Sequence, residues 1–309
     1  MLDFRIETFL VLCETKSYVQ AAERLHITQP AVTQHIKFLE KQYGVALFRY
    51  ASRTLSLTPQ GEQLREYALS LRANSARIAA RLSDAGQTGR RLAVGATLSI
   101  GEYVLAPLAA QYLTQDPALR LTFTVANTRK LLRKIEAGTL DCAFVEGRFD
   151  RQRYGYRLFQ RERFVGVCGA GHPLAGRTAD WDRLLHERLI LREEGSGTRD
   201  ILDQCLHERN LTLAQFRQQT EVNNFAAIKE LVRVGAGVTF VYEPVARREL
   251  ERGELVLLDI PRFSVEREFN FVYQKENLFL EQPLRFYTFC QARLETKKEA
   301  DAPSASANP

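Results

Sequence analysis

The stretch from Ser17 to Gly44 constrains the fold more than any other part of the chain. It holds two helical patterns separated only by His26-Ile27. The first, residues 18–25, follows Ser17 and turns Ala21, Ala22 and Leu25 inward. The second opens on Thr28, whose hydroxyl suits an N-cap, and Pro30, whose missing N–H costs nothing in a first turn. It runs to about Tyr43 and ends at Gly44, a residue that accepts a left-handed backbone. A helix over 4–14 precedes the pair, with Ile6, Phe9, Leu10 and Cys13 at helical spacing. Leu47 to Leu57 then alternates around Tyr50-Ala51-Ser52-Arg53, which reads as a small hairpin, or wing.

On the helix that Thr28 opens, Val32, Ile36, Leu39 and Tyr43 share one face. The opposite face carries Pro30, Thr33, Gln34 and Lys37, with Gln29 at the start. Gln can bind adenine bidentately, and Thr offers a hydroxyl and a methyl to thymine. Lys37 suits a phosphate. An ordinary amphipathic helix has a similar composition. Three helices, a tight turn and a wing together favour a reader of double-stranded DNA, entering the major groove N-terminus first.

Pro59 and Gly61 open a long helix over about 60–84. Leu64, Ala68, Leu71, Ser75, Ile78 and Leu82 advance by steps of four and three, a heptad seam. Such a seam must bury against a second copy of the helix or against the chain's own C-terminal part. A two-fold pair would read an interrupted inverted repeat, with half-sites about one turn (~10 bp) apart.

Gly86 to Gly89 reads as a hinge. Beyond it, strands at 92–95, 119–125 and 140–145 alternate with helices at 101–114 and 128–138, which implies a mainly parallel sheet. Strands near 164–168, 188–191, 217–222 and 238–242 follow, with helices near 198–209 and 224–234. Strands at 255–260 and 268–273 and a helix near 280–295 close the pattern. The second set sits between halves of the first. The expected order is therefore α+β and multi-domain: a winged helix-turn-helix over 1–59, a dimerising linker helix and hinge over 60–89, and a two-lobed α/β domain over 90–295. Lobe I would take about 90–162 and 266–295, lobe II about 163–265, with crossovers near Arg163 and Ser264. The tail, 296–309, is too polar for a core and is expected to be disordered.

In such sheets ligands sit beyond the carboxyl ends of strands, often at helix N-termini. Two loops fit. Gly95 to Gly101 brings Thr97, Leu98 and Ser99. Gly195 to Arg199 brings Ser196, Gly197, Thr198 and Arg199. Hydroxyls, free N–H groups and an arginine suit an oxyanion, although N-capping alone also accounts for the hydroxyls. Thr128 and Asn224, each opening a helix, are cleft candidates or simple caps. Glu146, at a strand end, could take a cationic part of a ligand or stand as a rim charge.

Bulk properties exclude several classes. Residues 1–91 hold 13 Lys+Arg against 8 Asp+Glu, and the remainder is nearly balanced. Over residues 1–60 the surplus is only 2, so DNA reading would depend on where side chains point more than on bulk charge. Five cysteines at no metal or Cys-x-x-Cys spacing read as free thiols in a reducing compartment. Asp3, Arg5 and Glu7 interrupt any apolar opening, and no run approaches a membrane span, so a cytoplasmic chain is expected. An enzyme on a two-lobed fold would need a nucleophile and base. No Gly-x-Ser-x-Gly or Walker loop occurs, and none of the five histidines sits in a nucleophile signature. No metal and no cofactor is expected.

Ser17-Tyr18-Val19-Gln20-Ala21-Ala22-Glu23-Arg24-Leu25-His26-Ile27-Thr28-Gln29-Pro30-Ala31-Val32-Thr33, then Leu39-Glu40, Gly44, Leu47-Phe48 and Leu57-Thr58-Pro59-Gln60-Gly61, resembles the LysR-type transcriptional regulators. The resemblance implies that Thr28, Gln29, Pro30, Thr33 and Gln34 face DNA. It also implies that Arg53 reaches from the wing to the minor groove or phosphate. The Arg49 to Arg53 turn departs from the usual pattern. Further implications are a linker-helix homodimer, a homotetramer, contact with RNA polymerase, and an effector domain like the type 2 periplasmic binding proteins. Glu193-Glu194-Gly195-Ser196-Gly197-Thr198-Arg199 resembles the subgroup that regulates sulfur assimilation and carbon fixation, which implies a small anionic or phosphorylated effector.

Overall fold

The computed structural model describes residues 3–51, 54–83 and 90–301. Arg53, the expected hinge at 86–89 and the end of the tail lie outside the described residues.

Three helices and a hairpin form the first unit: α1 (Phe4–Thr15), α2 (Tyr18–Leu25), α3 (Gln29–Tyr43), β1 (Phe48–Ala51) and β2 (Thr54–Leu57). The expected caps form. Ser17 Oγ accepts from Gln20 N at 3.4 Å, and Thr28 Oγ1 from Ala31 N at 3.3 Å. The break between α2 and α3 turns on His26, whose left-handed φ of 55° lets Ile27 N reach back to Ala22 O at 3.0 Å. Phe9, Leu12, Ala21, Val32, Ile36, Leu39, Leu47 and Leu55 make one apolar cluster. Glu40 Oε1 accepts from Leu47 N at 2.8 Å, tying α3 to the root of the hairpin.

The long helix α4 (Pro59–Ser83) begins in that core, where Ala68 and Leu69 are buried. It then crosses to the second unit. Asn74 Nδ2 donates to Glu276 O at 2.7 Å, and Asn74 Oδ1 accepts from Leu278 N at 3.3 Å. Arg77 is 4 % exposed, pairs with Asp141 at 3.4 Å and donates to Leu140 O at 3.1 Å. Gly138, at φ 71°, lies under Ala73; a Cβ there would stand 2.8 Å from Ala73 Cα. The seam expected along one face is therefore divided. Leu64 and Ala68 pack into the chain's own first unit, while Leu71, Ile78 and Leu82 are exposed.

The second unit runs β3 (Arg91–Ala96), α5 (Leu98–Ile100), a π-helical turn (Gly101–Leu105), α6 (Ala106–Gln115), β4 (Arg120–Val125), α7 (Thr128–Glu136), β5 (Cys142–Val145), β6 (Tyr154–Gly169), α8 (Trp181–Leu185), β7 (Arg188–Leu191), α9 (Gly197–His207), a 3-10 turn (Leu213–Gln215), β8 (Gln218–Glu221), α10 (Phe225–Arg233), β9 (Thr239–Tyr242), α11 (Glu243–Glu251), β10 (Leu255–Leu257), β11 (Val265–Gln274) and α12 (Glu281–Asp301). Strand order in the main sheet is β10-β6-β11-β5-β3-β4, with β9 also on β6; β7 and β8 pair separately.

Two expectations need correction. The sheet is not mainly parallel: β3 is parallel to β4 and β5, but β11 runs antiparallel to both β5 and β6, and β9 and β10 run antiparallel to β6. The cause is that the two connections between lobes are themselves long strands, so returning chain pairs head to tail. They pass each other where Arg163 faces Glu266 and Glu162 faces Arg267, next to the expected crossovers at Arg163 and Ser264. The tail is also shorter than expected, because α12 continues as helix to Asp301, past the expected start of the tail at 296. The run Leu294 to Lys298 carries good helix formers, and an established helix extends over polar residues at little cost.

Candidate functional site

Two surfaces concern function. On the first, α3 turns Val32, Ile36 and Leu39 into the core. That leaves Thr28, Gln29, Pro30, Gln34 and Lys37 exposed, with Thr33 half-buried. Thr33 Oγ1 donates back to Gln29 O at 3.1 Å, so its methyl and hydroxyl lone pairs are what it offers outward. Arg5 is an addition that sequence reasoning missed. Held by Asp3 at 3.1 Å, its guanidinium lies 3.8 Å from the centre of the exposed Phe38 ring on α3. A single charge near the N-terminus carries no periodic signal.

The second surface lies between the lobes. Thr97, the N-cap position of α5, is buried and donates to Glu146 at the end of β5. Ser99 and Thr198, also buried, meet hydroxyl to hydroxyl at 3.4 Å and join lobe I to the first turn of α9. Ser196 holds the N-cap position of α9 but makes no capping bond. Gly197 faces Glu146, where a Cβ would stand 3.4 Å from Oε1. Thr128, the first residue of α7, borders the same opening, a cleft of about 1200 Å³ that also reaches Glu146, Gly197, Arg267 and Asn270. On the other flank, Tyr103 meets Phe225 edge to face at 5.8 Å, and Lys229 Nζ lies 4.8 Å from the Tyr103 ring centre.

Thus Thr97, Ser99, Thr128, Glu146, Ser196, Gly197 and Thr198 converge. Leu98 is half-buried and packs on the core. Asn224 is an exposed cap that accepts from Ala227 N at 3.1 Å, and Arg199 is held by Glu221 at 2.5 Å and Arg192 O at 3.2 Å. Both therefore already have partners. Near Glu146 stands a further buried cation, Arg192, which the sequence reading passed over. It directly follows β7, pairs with Glu193 at 2.7 Å and lies 4.7 Å over the Phe225 ring. An arginine closing the apolar run Leu189-Ile190-Leu191 is the signal that would have found it. Asn270 and Tyr242 were also missed: Asn270 Oδ1 and the Tyr242 hydroxyl are buried without a hydrogen-bond partner among the described residues. Burial pushes the Glu146 carboxyl up to about 8, against the opposing pull of its own backbone N–H and of Arg192. Helix N-termini, hydroxyls and a buried guanidinium can hold a small anion. Among the described residues no cluster could hold a metal ion.

Residues 85–295 match the LysR substrate binding domain, and residues 5–62 match the bacterial regulatory helix-turn-helix protein, lysR family. The chain belongs to the LysR family. This LysR-type chain is 29 % identical over 270 residues to the HTH-type transcriptional regulator CysL of Bacillus subtilis, covering 87 % of this chain and 89 % of that protein. It is 28 % identical to the RuBisCO operon transcriptional regulator of Allochromatium vinosum, covering 88 % of this chain and 89 % of that protein. Full-length BenM superposes with a TM-score of 0.58 at 18 % identity, over 97 % of this chain and 98 % of that one. The regulatory domain of Synechocystis CcmR in complex with 2-PG superposes with a TM-score of 0.59 at 22 % identity, over 66 % of this chain and 96 % of that one. The LysR-type chain is therefore a DNA-binding transcription regulator with an effector-binding domain, not an enzyme. Its expected place in the subgroup of sulfur and carbon-fixation regulators agrees with these relatives.

Proposed function

We propose that the regulator reads its operator through Gln29, Pro30, Thr33 and Gln34, with Thr28, Lys37 and Arg53 on the backbone, and answers to a small anionic effector held between its lobes. The observation that carries the effector reading is the meeting of Thr97, Ser99, Gly197 and Thr198 from opposite lobes beside an open cleft. Supporting it, the similar CcmR domain is described in complex with 2-PG, a small anionic metabolite. The effector is a reversible ligand here, and no resident cofactor is required. Closure on the anion would favour one lobe arrangement, and linkage would pass that preference to DNA.

We also infer a homodimer. Tyr67, Leu71, Ile78 and Leu82 leave an apolar stripe along α4 with spacings of four, seven and four, and a second copy of the helix is its natural cover. A tetramer, contact with RNA polymerase and a cytoplasmic location follow from the same family reading. Among the described residues no helix is long and apolar enough to cross a membrane.

Selection of bound duplexes from a random DNA pool tests the reading. Wild-type protein should recover an interrupted inverted repeat. Gln29→Ala with Thr33→Ala should lose that preference, by about 10-fold or more per half-site, while the fold is kept. Recovery of the same repeat by the double variant would remove α3 from the reading role.

A further inference from the structure

The effector reading above leaves an apparent conflict, because an acidic side chain stands where an anion should dock. Glu146 Oε2 accepts from Thr97, and Oε1 faces the first turn of α9 across Gly197. Asn270, opposite Val145 on the neighbouring strand, is 3 % exposed on the cleft wall, and neither its Oδ1 nor the buried Tyr242 hydroxyl has a partner among the described residues. An oxyanion on the first N–H groups of α9 therefore lies against Glu146. At roughly 4 Å in a partly dry site, two like charges would cut affinity by about 1000-fold.

We propose that Glu146 binds the effector anion as a neutral acid, donating its Oε1 proton to an oxyanion held at the N-terminus of α9. Any Glu146 that is ionised beforehand must then take one proton from solvent when the anion binds. This proposal rests on the effector reading and adds a proton to it. The geometry leaves Oε1 free for the proton, since Oε2 is already accepting from Thr97.

The surroundings favour the neutral form. Burial is the largest effect on Glu146 and raises its carboxyl to about 8; its own backbone N–H and Arg192 oppose this. Just past β7, Arg192 is shared with Glu193. From β9, Tyr242 is a neutral neighbour whose own ionisation burial pushes well up. Arg267 on β11, Arg129 on α7 and Arg148 after β5 border the wider cleft, as do Asp200 and Asp203 on α9. Glu268 is held below its usual range by Arg161 and Arg151. His207, at the end of α9, is bound to Asp203 O at 2.8 Å. The sign follows: below about 8 Glu146 is neutral and the anion binds, and above it the carboxylate forms and binding is lost.

Sulfate is the probe, because its charge stays constant across the range. The full chain is titrated calorimetrically from about pH 6 to about 9.5, in buffers of different ionisation enthalpy, to count protons. The expected wild-type affinity is level up to about pH 8 and falls about tenfold per unit above it, with about one proton taken up per sulfate there. Glu146→Gln keeps a donor toward the anion and an acceptor toward Thr97, so it should bind sulfate with no pH slope and no proton uptake. His207→Asn should keep the wild-type slope. A flat wild-type profile overturns the proposal, as does a slope that persists in Glu146→Gln or vanishes in His207→Asn. Binding without a slope would spare the anion reading and remove only the proton. No sulfate heat at any pH in either protein would remove both.

Discussion

Gly61 shows how much can depend on a single hydrogen atom. A Cβ at this position would press on the Leu47 carbonyl oxygen and stand 2.9 Å from Leu57 Cδ2. Its own N–H donates to Thr58 Oγ1 at 3.0 Å, and that hydroxyl donates to Ala46 O at 2.7 Å. Gly61 therefore lets α4 start directly against the hairpin. Gly61→Ala should destabilise the first unit by about 1–3 kcal/mol, read as faster amide exchange over residues 4–57 while the sheet of the second unit is unaffected. Unchanged exchange there would mean the hairpin can step aside. At this scale the sequence was legible where a residue acts on its own neighbours. Caps such as Thr28 and Asn224 were visible because three residues decide them. The ion pair of Arg199 was not legible, because its partner, Glu221, lies 22 positions away on β8. Arg192 carries a local signal in the apolar run it follows, but its contact with Phe225, 33 positions on, exists only after folding.

Among elements, α4 is the one that serves two cores and still leaves a stripe uncovered. Ser70, Asn74 and Arg77 turn to the second unit, Ala68 and Leu69 to the first, and Leu71, Ile78 and Leu82 to solvent. The heptad pattern identified the helix but could not assign the faces, because one seam can be shared between two neighbours. Leu71→Glu with Ile78→Glu should convert a dimer to a monomer in sedimentation, leaving helix content unchanged; a dimer that survives both charges would place the contact elsewhere. Strand β6 was half legible. Its apolar end near 164–168 stands out in the sequence, while nothing marks Tyr154 to Arg163 as strand. That part pairs with β11 and carries Arg157, Arg161 and Glu162, so its alternation is diluted by charge. α8 and α11 were not anticipated. The first is a single turn opened by Asp180, and the second carries Arg247, Arg248 and Glu249 among few apolar positions.

For the whole molecule, the three-part order was readable because each part has its own period: helical at the start, heptad in the middle, strand and helix alternating after it. The way the parts are joined was not. Asn74 holds the backbone at Glu276 and Leu278, Arg77 holds Asp141 and Leu140, and Arg81 lies 4.0 Å from the centre of the Phe279 ring. Asp141 in turn accepts from Ala93 N at 2.8 Å, so the clamp reaches β3 of lobe I. Burial alone lowers the Arg77 guanidinium from its ordinary range, and Asp141 restores part of that, so the charge depends on its partner. Asn74→Ala with Arg77→Met should leave both cores folded but increase the radius of gyration seen by solution scattering. An unchanged profile would mean that Gly138 against Ala73 suffices to hold the helix.

Because one unbroken helix is anchored in both cores, it acts as an indexed shaft. Adding a single residue between Leu69 and Asn74 would turn the DNA-reading head by about 100° and lift it by about 1.5 Å relative to the sensor. Four added residues would bring it back to within about 40°, but about 6 Å farther out. Exchanging heads and sensors between relatives is therefore a matter of helical phase: the splice must preserve the count from Ala68 to Arg77, whatever residues fill it.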